Sequence, residues 1–341
     1  TIYFFFGLEN RAAIFAVQAL LTLASAIVLT SELRRIAPQS APDMALLLLL
    51  LLPSVLHTVF SAYRENFALT LAMLFAAIML RLQRAPSLPL AIGAGALLGA
   101  LVLTYIPFLF FPLFLLLGIL FLKPWRFFRL HTFILVLSAY SVISLWGIRN
   151  LLQTGTFQIA GSERSAIVFH VRGEQAKHLR GITPLRCLLA EYITRDWTGL
   201  PRECSYNAVM HALEERADYP AERKAIARAG AENILRNFPH YLWFSLFEIL
   251  ELHLPFVNGW GFAYNALAAL SMVILYGGSL FSLPHIFRRE YGIFIAFILY
   301  STLIYTATDA TPRYLLPIVF CYSVFAAVGY ARLLPRSSAS L

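Results

Sequence analysis

Long apolar segments recur along almost the whole chain, and they constrain its fold more than any other feature. A helix needs about 20 apolar residues to cross a membrane, with a range of about 17 to 25. Nine segments meet or approach that length: 11–32, 43–60, 66–82, 89–104, 106–122, 130–148, 262–283, 291–308 and 314–333. Only 13% of the 341 residues are charged, against about 25% in a soluble globular protein. We therefore predict an all-α polytopic membrane protein with about nine spanning helices.

Two features inside the apolar segments predict how the helices pack or break. Gly93, Gly95 and Gly99 lie in the fourth segment, where small residues allow neighbouring helices to approach closely. Pro107 separates the fourth segment from the fifth. We expect these two segments to form either a tight hairpin or a broken helix.

The basic residues of the short loops are divided unequally between the two faces of such a protein. Lys and Arg are enriched in cytoplasmic loops, so the richer face is predicted to be cytoplasmic. One face carries only Arg11, Arg64 and Arg313. The other carries eleven basic residues: Arg34, Arg35, Arg81, Arg84, Lys123, Arg126, Arg129, Arg288, Arg289, Arg332 and Arg336. This asymmetry predicts that the face with Arg64 and Arg313 is extracytoplasmic.

The chain is predicted to divide into three parts. Residues 1–148 form an N-terminal membrane bundle of six spans, 149–261 a large extracytoplasmic loop, and 262–341 a C-terminal bundle of three spans. The loop has thirteen basic and twelve acidic residues, a balance that is typical of a folded segment. The net charge of +9 is spread between apolar segments. This distribution argues against a nucleic-acid partner, which requires a clustered and solvated basic patch.

Several helices are predicted within the loop. Thr183 is expected to cap one helix, with Pro184 at its first position. A second helix is expected after Ser205 and a third after Asp218. The stretch "PHYLWFSLFEILELHLPF" is apolar but contains two glutamates. We expect it to lie in the membrane interface as a helix that keeps both carboxylates, Glu248 and Glu251, in water.

The cysteines and histidines show no metal-binding spacing along the sequence. Cys187 and Cys204 share the loop and could form a disulfide if that loop is extracytoplasmic. The histidines of the loop are widely separated, and those in or near the spans are expected to be packed or hydrogen-bonded. We therefore predict no metal site among the histidines His57, His131, His170, His178 and His211.

Polar residues from four separate positions gather at one predicted membrane depth on the extracytoplasmic face. They are Tyr63, Arg64 and Glu65; Tyr105; Arg149 and Asn150; and Asp309, Arg313 and Tyr314. Each of them, taken singly, is more typical of a charged or aromatic residue that snorkels to the membrane surface or caps a helix. Together they could line one pocket. Arginine and tyrosine at that depth suit the phosphate headgroup of a lipid whose tail lies in the bilayer.

The positions of these polar residues predict individual roles. Arg313 and Tyr314 are expected to face the phosphate, with Pro312 beginning the last helix and Pro317 bending it. Glu65 has two interpretations. It could orient an acceptor or hold an arginine, or it could be an ordinary carboxylate at a helix start, where the helix dipole favours negative charge.

Several blocks resemble, in order, the membrane glycosyltransferases of the GT-C superfamily, in particular glycosyltransferase family 39 and the aminoarabinose-transferase-like group. These blocks are "YRENFALTLAMLFAAIML", "GALLGALVLTYIPFLFFPL", "LWGIRNLLQTGTFQIAGS", "AENILRNFPHYLWFSLFEIL" and "PRYLLPIVFCYSVFAAVGYARLL". The resemblance covers nearly the whole chain. It implies a GT-C-like bundle in the bacterial inner membrane that transfers a sugar from a polyprenyl-phosphate carrier to a lipid, glycan or protein acceptor.

The common membrane depth of the polar residues predicts the site. The lipid phosphate is expected to contact Arg313, Tyr314, Arg149 and Arg64, and the substrate pocket is expected to be lined by Glu65, Tyr63, Tyr105, Asn150 and Asp309. The chain departs from the family at Tyr105, where an arginine is usual. The family's catalytic carboxylate follows its first spanning helix and is expected upstream of Thr1, in a longer protein, with Glu65 as the fallback. No cofactor is firmly implied.

Two other functions fit an apolar chain with a large loop. A transporter or lipid flippase would show internal repeats, and charged or broken helices near the bilayer midplane. A related polysaccharide ligase or polymerase would differ from the transferase in its acceptor. The sequence leaves the identity of the sugar and of the acceptor open.

Overall fold

The structure is a computed structural model that describes residues 11–59, 64–121, 129–159, 163–190, 198–215, 219–253, 261–308 and 312–334. These residues form helices and no strand. The α-helices are α1 Arg11–Leu33, α2 Ala41–Leu50, α3 Pro53–Val59, α4 Arg64–Arg84, α5 Leu88–Thr104, α6 Phe111–Phe121, α7 Arg129–Thr154, α8 Glu163–His178, α9 Thr183–Leu189, α10 Tyr206–Glu214, α11 Tyr219–Arg236, α12 Phe238–Leu252, α13 Gly261–Ile286, α14 Gly292–Thr308 and α15 Val319–Leu333. Short 3₁₀-helices are Ile106–Phe110, Arg202–Cys204, Arg289–Tyr291 and Pro312–Ile318.

Six helices in the described residues are long and apolar enough to cross a membrane: Ala12–Leu33, Arg64–Arg84, Leu130–Thr154, Ala263–Ile286, Arg289–Thr308 and Tyr314–Leu333. Ala41–Leu50 and Pro53–Val59 form a pair bent by 58°, which would make a seventh span if it crosses as one. The predicted spans at 89–104 and 106–122 are shorter apolar helices, Leu88–Thr104 and Ile106–Gly118. The all-α membrane class is therefore supported, whereas the count of nine stays a prediction.

The described residues fall into two compact units. Unit 1 comprises those within 1–159, 260–301 and 313–341, and unit 2 those within 160–259 and 302–312. The predicted site residues Arg64, Glu65, Tyr105, Arg149, Asn150 and Tyr314 all belong to unit 1.

Glycine sets the closest helix contacts of unit 1. A methyl group added at Gly95 would meet the carbonyl oxygen of Leu135, and one at Gly99 would meet that of Ala139. The partner of Gly99 lies four residues after the partner of Gly95 along α7, just as Gly99 follows Gly95 along α5. The two helices therefore run parallel. These two glycines confirm the predicted close packing. Gly93 does not, because an added methyl group there would meet nothing within 4 Å.

A buried aromatic cluster joins α4, α6, α14 and α15 inside unit 1. The rings of Phe111 and Phe297 have centroids 4.6 Å apart, and Phe75 and Phe320 lie 5.9 and 5.6 Å from Phe297. All four side chains are essentially excluded from solvent. Within a membrane, the packing of these rings against one another, rather than their removal from water, stabilises the contact between the four helices.

The two ends of α4 each have an arginine, and the two arginines have different partners. Its first residue, Arg64, lies beside Tyr105, and we call this the Arg64 end of unit 1. At its other end Arg84 forms an ion pair with Glu32, the penultimate residue of α1. Thr22, earlier in α1, contacts Asn66 near the start of α4. Since the later residue Glu32 pairs with the later residue Arg84, α1 and α4 run parallel. The sequence assigned Arg64 and Arg84 to opposite faces, and they lie at opposite ends of one helix of spanning length.

The orientation of the chain in the membrane can be tested by cysteine labelling. We expect a membrane-impermeant maleimide to label Lys177→Cys in intact cells, because the loop is predicted to be extracytoplasmic. Ala85→Cys, in the exposed turn between α4 and α5, should be labelled only after the membrane is permeabilised. The background is low because Cys321 is buried and Cys187 is bonded to Cys204. The reverse pattern would show that the orientation is inverted.

Unit 2 is built around a small core between α8, α10 and α11. Its buried residues are Ile167, Val171, Val209, Leu213 and Ile226. Helices α8 and α11 cross at Gly173 and Gly230, where an added methyl group on either would clash with the other's backbone. The disulfide between Cys187 and Cys204 is present, as the sequence allowed. It packs beside Leu179 and Phe244.

The predicted loop helices are confirmed with one change and one addition. The expected helices begin at Thr183, Tyr206 and Tyr219, and Ser205 Oγ accepts a hydrogen bond from Ala208 N at 3.2 Å. Thr183 is already helical and the N-cap is Ile182, so its predicted role as a cap is wrong. Asp218 lies outside the described residues. Helix α8 was not predicted, because its sequence lacks a strong apolar periodicity.

Helix α12 corresponds to the predicted interfacial helix. One side of it exposes the apolar residues Phe238, Leu242, Trp243, Leu246 and Leu250, the pattern of a helix that lies in a membrane surface. The prediction that both glutamates stay in water is wrong for Glu248, which is 5% exposed. Its charge is compensated by Arg172 of α8, a helix that the sequence did not reveal.

The last predicted span begins as a different kind of helix. Pro312 starts the segment, as expected, but residues Pro312–Ile318 form a 3₁₀-helix and α15 begins at Val319. Pro317 therefore lies in the 3₁₀-helix and does not bend an α-helix. Proline has no amide donor, so it fits a first turn better than a helix interior.

Candidate functional site

Three of the predicted site residues meet at the Arg64 end of unit 1. The guanidinium carbon of Arg64 lies 5.4 Å from the centroid of the Tyr105 ring. The ring of Tyr105 lies 6.4 Å from that of Tyr314, between centroids. Tyr105 is buried and joins α5 to the next 3₁₀-helix. A cation is thereby held against an aromatic wall, an arrangement that orients a guanidinium without using its N–H donors.

Glu65 belongs to the same group. Its side chain is 6% exposed, and Oε1 lies 3.9 Å from Nε of Arg64, whose side chain is 47% exposed. A carboxylate buried to this degree requires compensation of its charge. Arg64 and the N-terminus of α4 both supply it. The two interpretations of Glu65 therefore coincide here: it begins a helix, and it lies beside the arginine of the predicted site.

A buried polar layer begins at Asn66, the residue after Glu65, and was not predicted. Asn66 Nδ2 donates to Thr22 Oγ1 at 3.2 Å, and the hydroxyls of Thr22 and Thr70 are 3.3 Å apart. Gln18 is 6% exposed, and its Oε1 has no hydrogen-bond partner among the described residues. The signal in the sequence was the spacing of four between Gln18 and Thr22, and between Asn66 and Thr70, within otherwise apolar segments.

Arg149 and Asn150 form a second group at the C-terminal end of α7. The guanidinium carbon of Arg149 lies 4.6 Å from the Trp146 ring centroid, and Nη1 donates to Asn150 Oδ1 at 3.2 Å. Asn150 Nδ2 donates to the carbonyl oxygen of Gln158 at 2.7 Å. Because α5 and α7 run parallel, this group and Tyr105 lie at corresponding ends of their helices. Arg149 is exposed, so its N–H donors are accessible.

The remaining predicted site residues are not tested. Tyr63 and Asp309 lie outside the described residues. Arg313 belongs to the 3₁₀-helix Pro312–Ile318 by its backbone, and its side chain is not among those described. The role of Arg313 toward a phosphate, and those of Tyr63 and Asp309 in the substrate pocket, stay predictions.

Unit 2 contains a buried charge network that sequence reasoning missed. The Nη1 and Nη2 atoms of Arg172 donate to Glu248 Oε1 and Oε2 at 2.8 and 2.9 Å. Nη1 also donates to Gln175 Oε1 at 2.9 Å, and Nε donates to the carbonyl oxygen of Thr308. The guanidinium carbon lies 5.2 Å from the Phe244 ring centroid. This network joins α8, α12 and the last turn of α14.

Tyr241 supports the same junction. Its hydroxyl donates to the carbonyl oxygen of Ala307 at 2.8 Å. Burial raises the pKa of Tyr241, and the positive charge of Arg172 opposes that shift. The phenol therefore stays protonated and remains a donor at neutral pH.

Together, the six apolar helices and the absence of strands in the described residues define the class of this protein: an all-α chain with helices suited to crossing a membrane several times. No family model, no curated protein and no solved structure matches the chain.

Proposed function

We propose that this protein is a membrane glycosyltransferase that moves a sugar from a polyprenyl-phosphate carrier to an acceptor hydroxyl. The observation that carries the proposal is the group at the Arg64 end of unit 1: a half-exposed arginine on an aromatic wall, with a buried carboxylate beside it. A lipid phosphate has its charge at the membrane interface and its tail in the bilayer. A cation at the end of a spanning helix meets that charge at the appropriate depth.

Arg64 is the residue proposed to bind the phosphate. The cation–π contact with Tyr105 holds the guanidinium in place and leaves N–H groups for a bidentate contact with phosphate oxygens. The chain has Tyr105 where the GT-C relatives it resembles usually have arginine. Arg64 supplies a guanidinium beside that position, which is consistent with the same ligand. Arg149 and Arg313 are proposed to add further positive charge.

The resemblance places the catalytic base upstream of Thr1; among the residues that the structure describes, Glu65, the fallback, is the one proposed to take the proton. In the transfer, the oxygen of the acceptor hydroxyl bonds to the anomeric carbon of the sugar, and its proton moves to the Glu65 carboxylate. The bond between that carbon and the phosphate oxygen breaks, and polyprenyl phosphate leaves with the negative charge. Arg64 stabilises this charge as it develops.

Binding of the lipid carrier tests the role of Arg64. Arg64→Ala is expected to weaken binding of polyprenyl phosphate by about 10- to 100-fold, since a hydrogen bond to a charged group contributes about 1.5–3 kcal/mol. Binding of the uncharged polyprenol should be unchanged. Arg81→Ala, at the other end of the same helix, is the matched control. Equal loss for both lipids would contradict phosphate recognition by Arg64.

The reaction itself is tested in detergent. Purified protein incubated with polyprenyl-phosphate-linked sugars and a pool of lipid and glycan acceptors should release polyprenyl phosphate and form a glycosylated product. Glycosylated product must depend on the intact protein and on the sugar-loaded carrier. Failure to form product with any donor would count against a transferase.

One observation favours a second candidate, a transporter or lipid flippase. The apolar segment of α2 and α3 is broken, with a bend of 58°, and broken helices commonly form substrate sites in transporters. Such a protein would move a labelled lipid or solute across the wall of a sealed vesicle and would yield no chemical product in detergent. The two assays together separate the candidates.

A further inference from the structure

A histidine and two glutamates converge in unit 2. Glu174 and His178 lie four residues apart on α8, so their side chains share one face of the helix. Glu203 comes from the 3₁₀-helix Arg202–Cys204. One ligand atom from each of the three residues lies within 4.8 Å of the others. Along the sequence His178 had no metal-type spacing, because the third residue joins it only through the fold.

We propose that Glu174, His178 and Glu203 bind one Zn²⁺ ion, which ties the 3₁₀-helix to α8. Tetrahedral zinc with ligands at about 2.0–2.1 Å separates its ligand atoms by about 3.3 Å. His178 Nε2 and Glu174 Oε2 are 3.4 Å apart, so two ligands already have that separation. An ion pair between these two accounts for their contact but not for the second carboxylate that faces the same histidine.

The surroundings of the three residues suit a metal. Asn233 Nδ2 donates to the other carboxylate oxygen of Glu174, Oε1, at 3.2 Å, as partners of metal ligands commonly do. Glu203 is adjacent to Cys204, whose disulfide to Cys187 anchors its backbone. His178 is exposed and both glutamates are partly buried, so an ion can enter from solvent.

The ligand types select the metal. One imidazole nitrogen with two carboxylate oxygens suits Zn²⁺, whereas Ca²⁺ and Mg²⁺ prefer oxygen alone. Three protein ligands leave the fourth position of a tetrahedral site to water. The site is therefore proposed to hold zinc with one exchangeable position.

The test is zinc binding by the full chain in detergent, after removal of metal with a chelator. Titration against a chromophoric zinc chelator should show one site per chain, and Zn²⁺ should raise the melting temperature. Glu174→Gln, His178→Gln and Glu203→Gln should each abolish this site. Asn233→Ala should weaken it by about 10- to 100-fold. The matched controls are Glu232→Gln and His240→Gln, residues of the same unit outside the cluster, which should bind as the unaltered protein does.

A spectrum of the unaltered protein decides the case even if a variant fails to fold. Co²⁺ in place of Zn²⁺ should give the intense visible absorption of a four-coordinate ion, and Zn²⁺ should displace it. A weak six-coordinate spectrum, the absence of one-to-one binding, or ligand variants that bind zinc as tightly as the controls would each overturn the proposal.

Discussion

Replacing Glu248 by alanine is expected to destabilise unit 2 by about 3–5 kcal/mol, the usual cost of removing one partner from a buried ion pair. The reason lies in the burial of Arg172, which is 1% exposed and is held by both carboxylate oxygens of Glu248. Without them the guanidinium keeps its charge in a site where Gln175 and the Thr308 carbonyl offer only neutral acceptors. Hydrogen–deuterium exchange in α8 and α12, combined with denaturant unfolding in detergent, would measure the loss.

Two further variants test whether the loss of stability comes from breaking the buried ion pair. Glu251→Ala changes a partly buried carboxylate one turn along the same helix, and is expected to cost less than about 1 kcal/mol. Arg172→Met combined with Glu248→Leu removes both charges and should recover most of the loss, because a buried pair can often be replaced by apolar residues of similar volume. Similar stabilities of Glu248→Ala and Glu251→Ala would contradict an essential buried pair.

Replacing Glu65 by glutamine is expected to lower the rate of sugar transfer by about 10²–10⁴-fold, the usual contribution of a general base. Glutamine has the shape of glutamate and can still contact Arg64, but it cannot accept a proton at neutral pH. The KM for the lipid-linked donor should therefore change little while kcat falls. Steady-state kinetics with purified protein would measure both constants. This prediction depends on the proposed transferase activity.

A second buried glutamate provides the matched control. Glu32 is 9% exposed and forms an ion pair with Arg84 at the other end of α4. Glu32→Gln should therefore leave kcat near its original value. A rise in the donor KM at unchanged kcat in Glu65→Gln would instead assign Glu65 to holding Arg64 in place. In that case the base would lie elsewhere.

The sequence predicted the membrane class well because the requirement is local. A span needs a certain length of apolar residues, and this can be counted without knowing what the helix packs against. The same holds for Gly95 and Gly99, which marked a close helix contact by their size. The break between α2 and α3 also had a local signal that the prediction overlooked, since Pro53 disfavours a helical conformation at the residue before it.

The candidate site was predicted in part for a related reason. Arg64, Tyr105 and Tyr314 were placed at one membrane depth, because each lies at the end of an apolar segment. That they contact one another required the fold, since Tyr105 and Tyr314 are separated by most of the chain. Depth follows from position along a helix, but contact depends on which helices are neighbours.

Only the tertiary structure revealed the pairing of the charges in unit 2. Arg172 and Glu248 are 76 residues apart, and Glu203 joins Glu174 and His178 from another segment. In the sequence Glu248 resembled a solvated residue of an interfacial helix, because nothing local indicated a compensating arginine. The apolar content of this chain determined that it forms helices suited to a membrane. Helix packing decided which polar groups contact one another, because a charged side chain can be buried only where a residue of opposite charge compensates it. In this chain that residue comes from a distant part of the sequence.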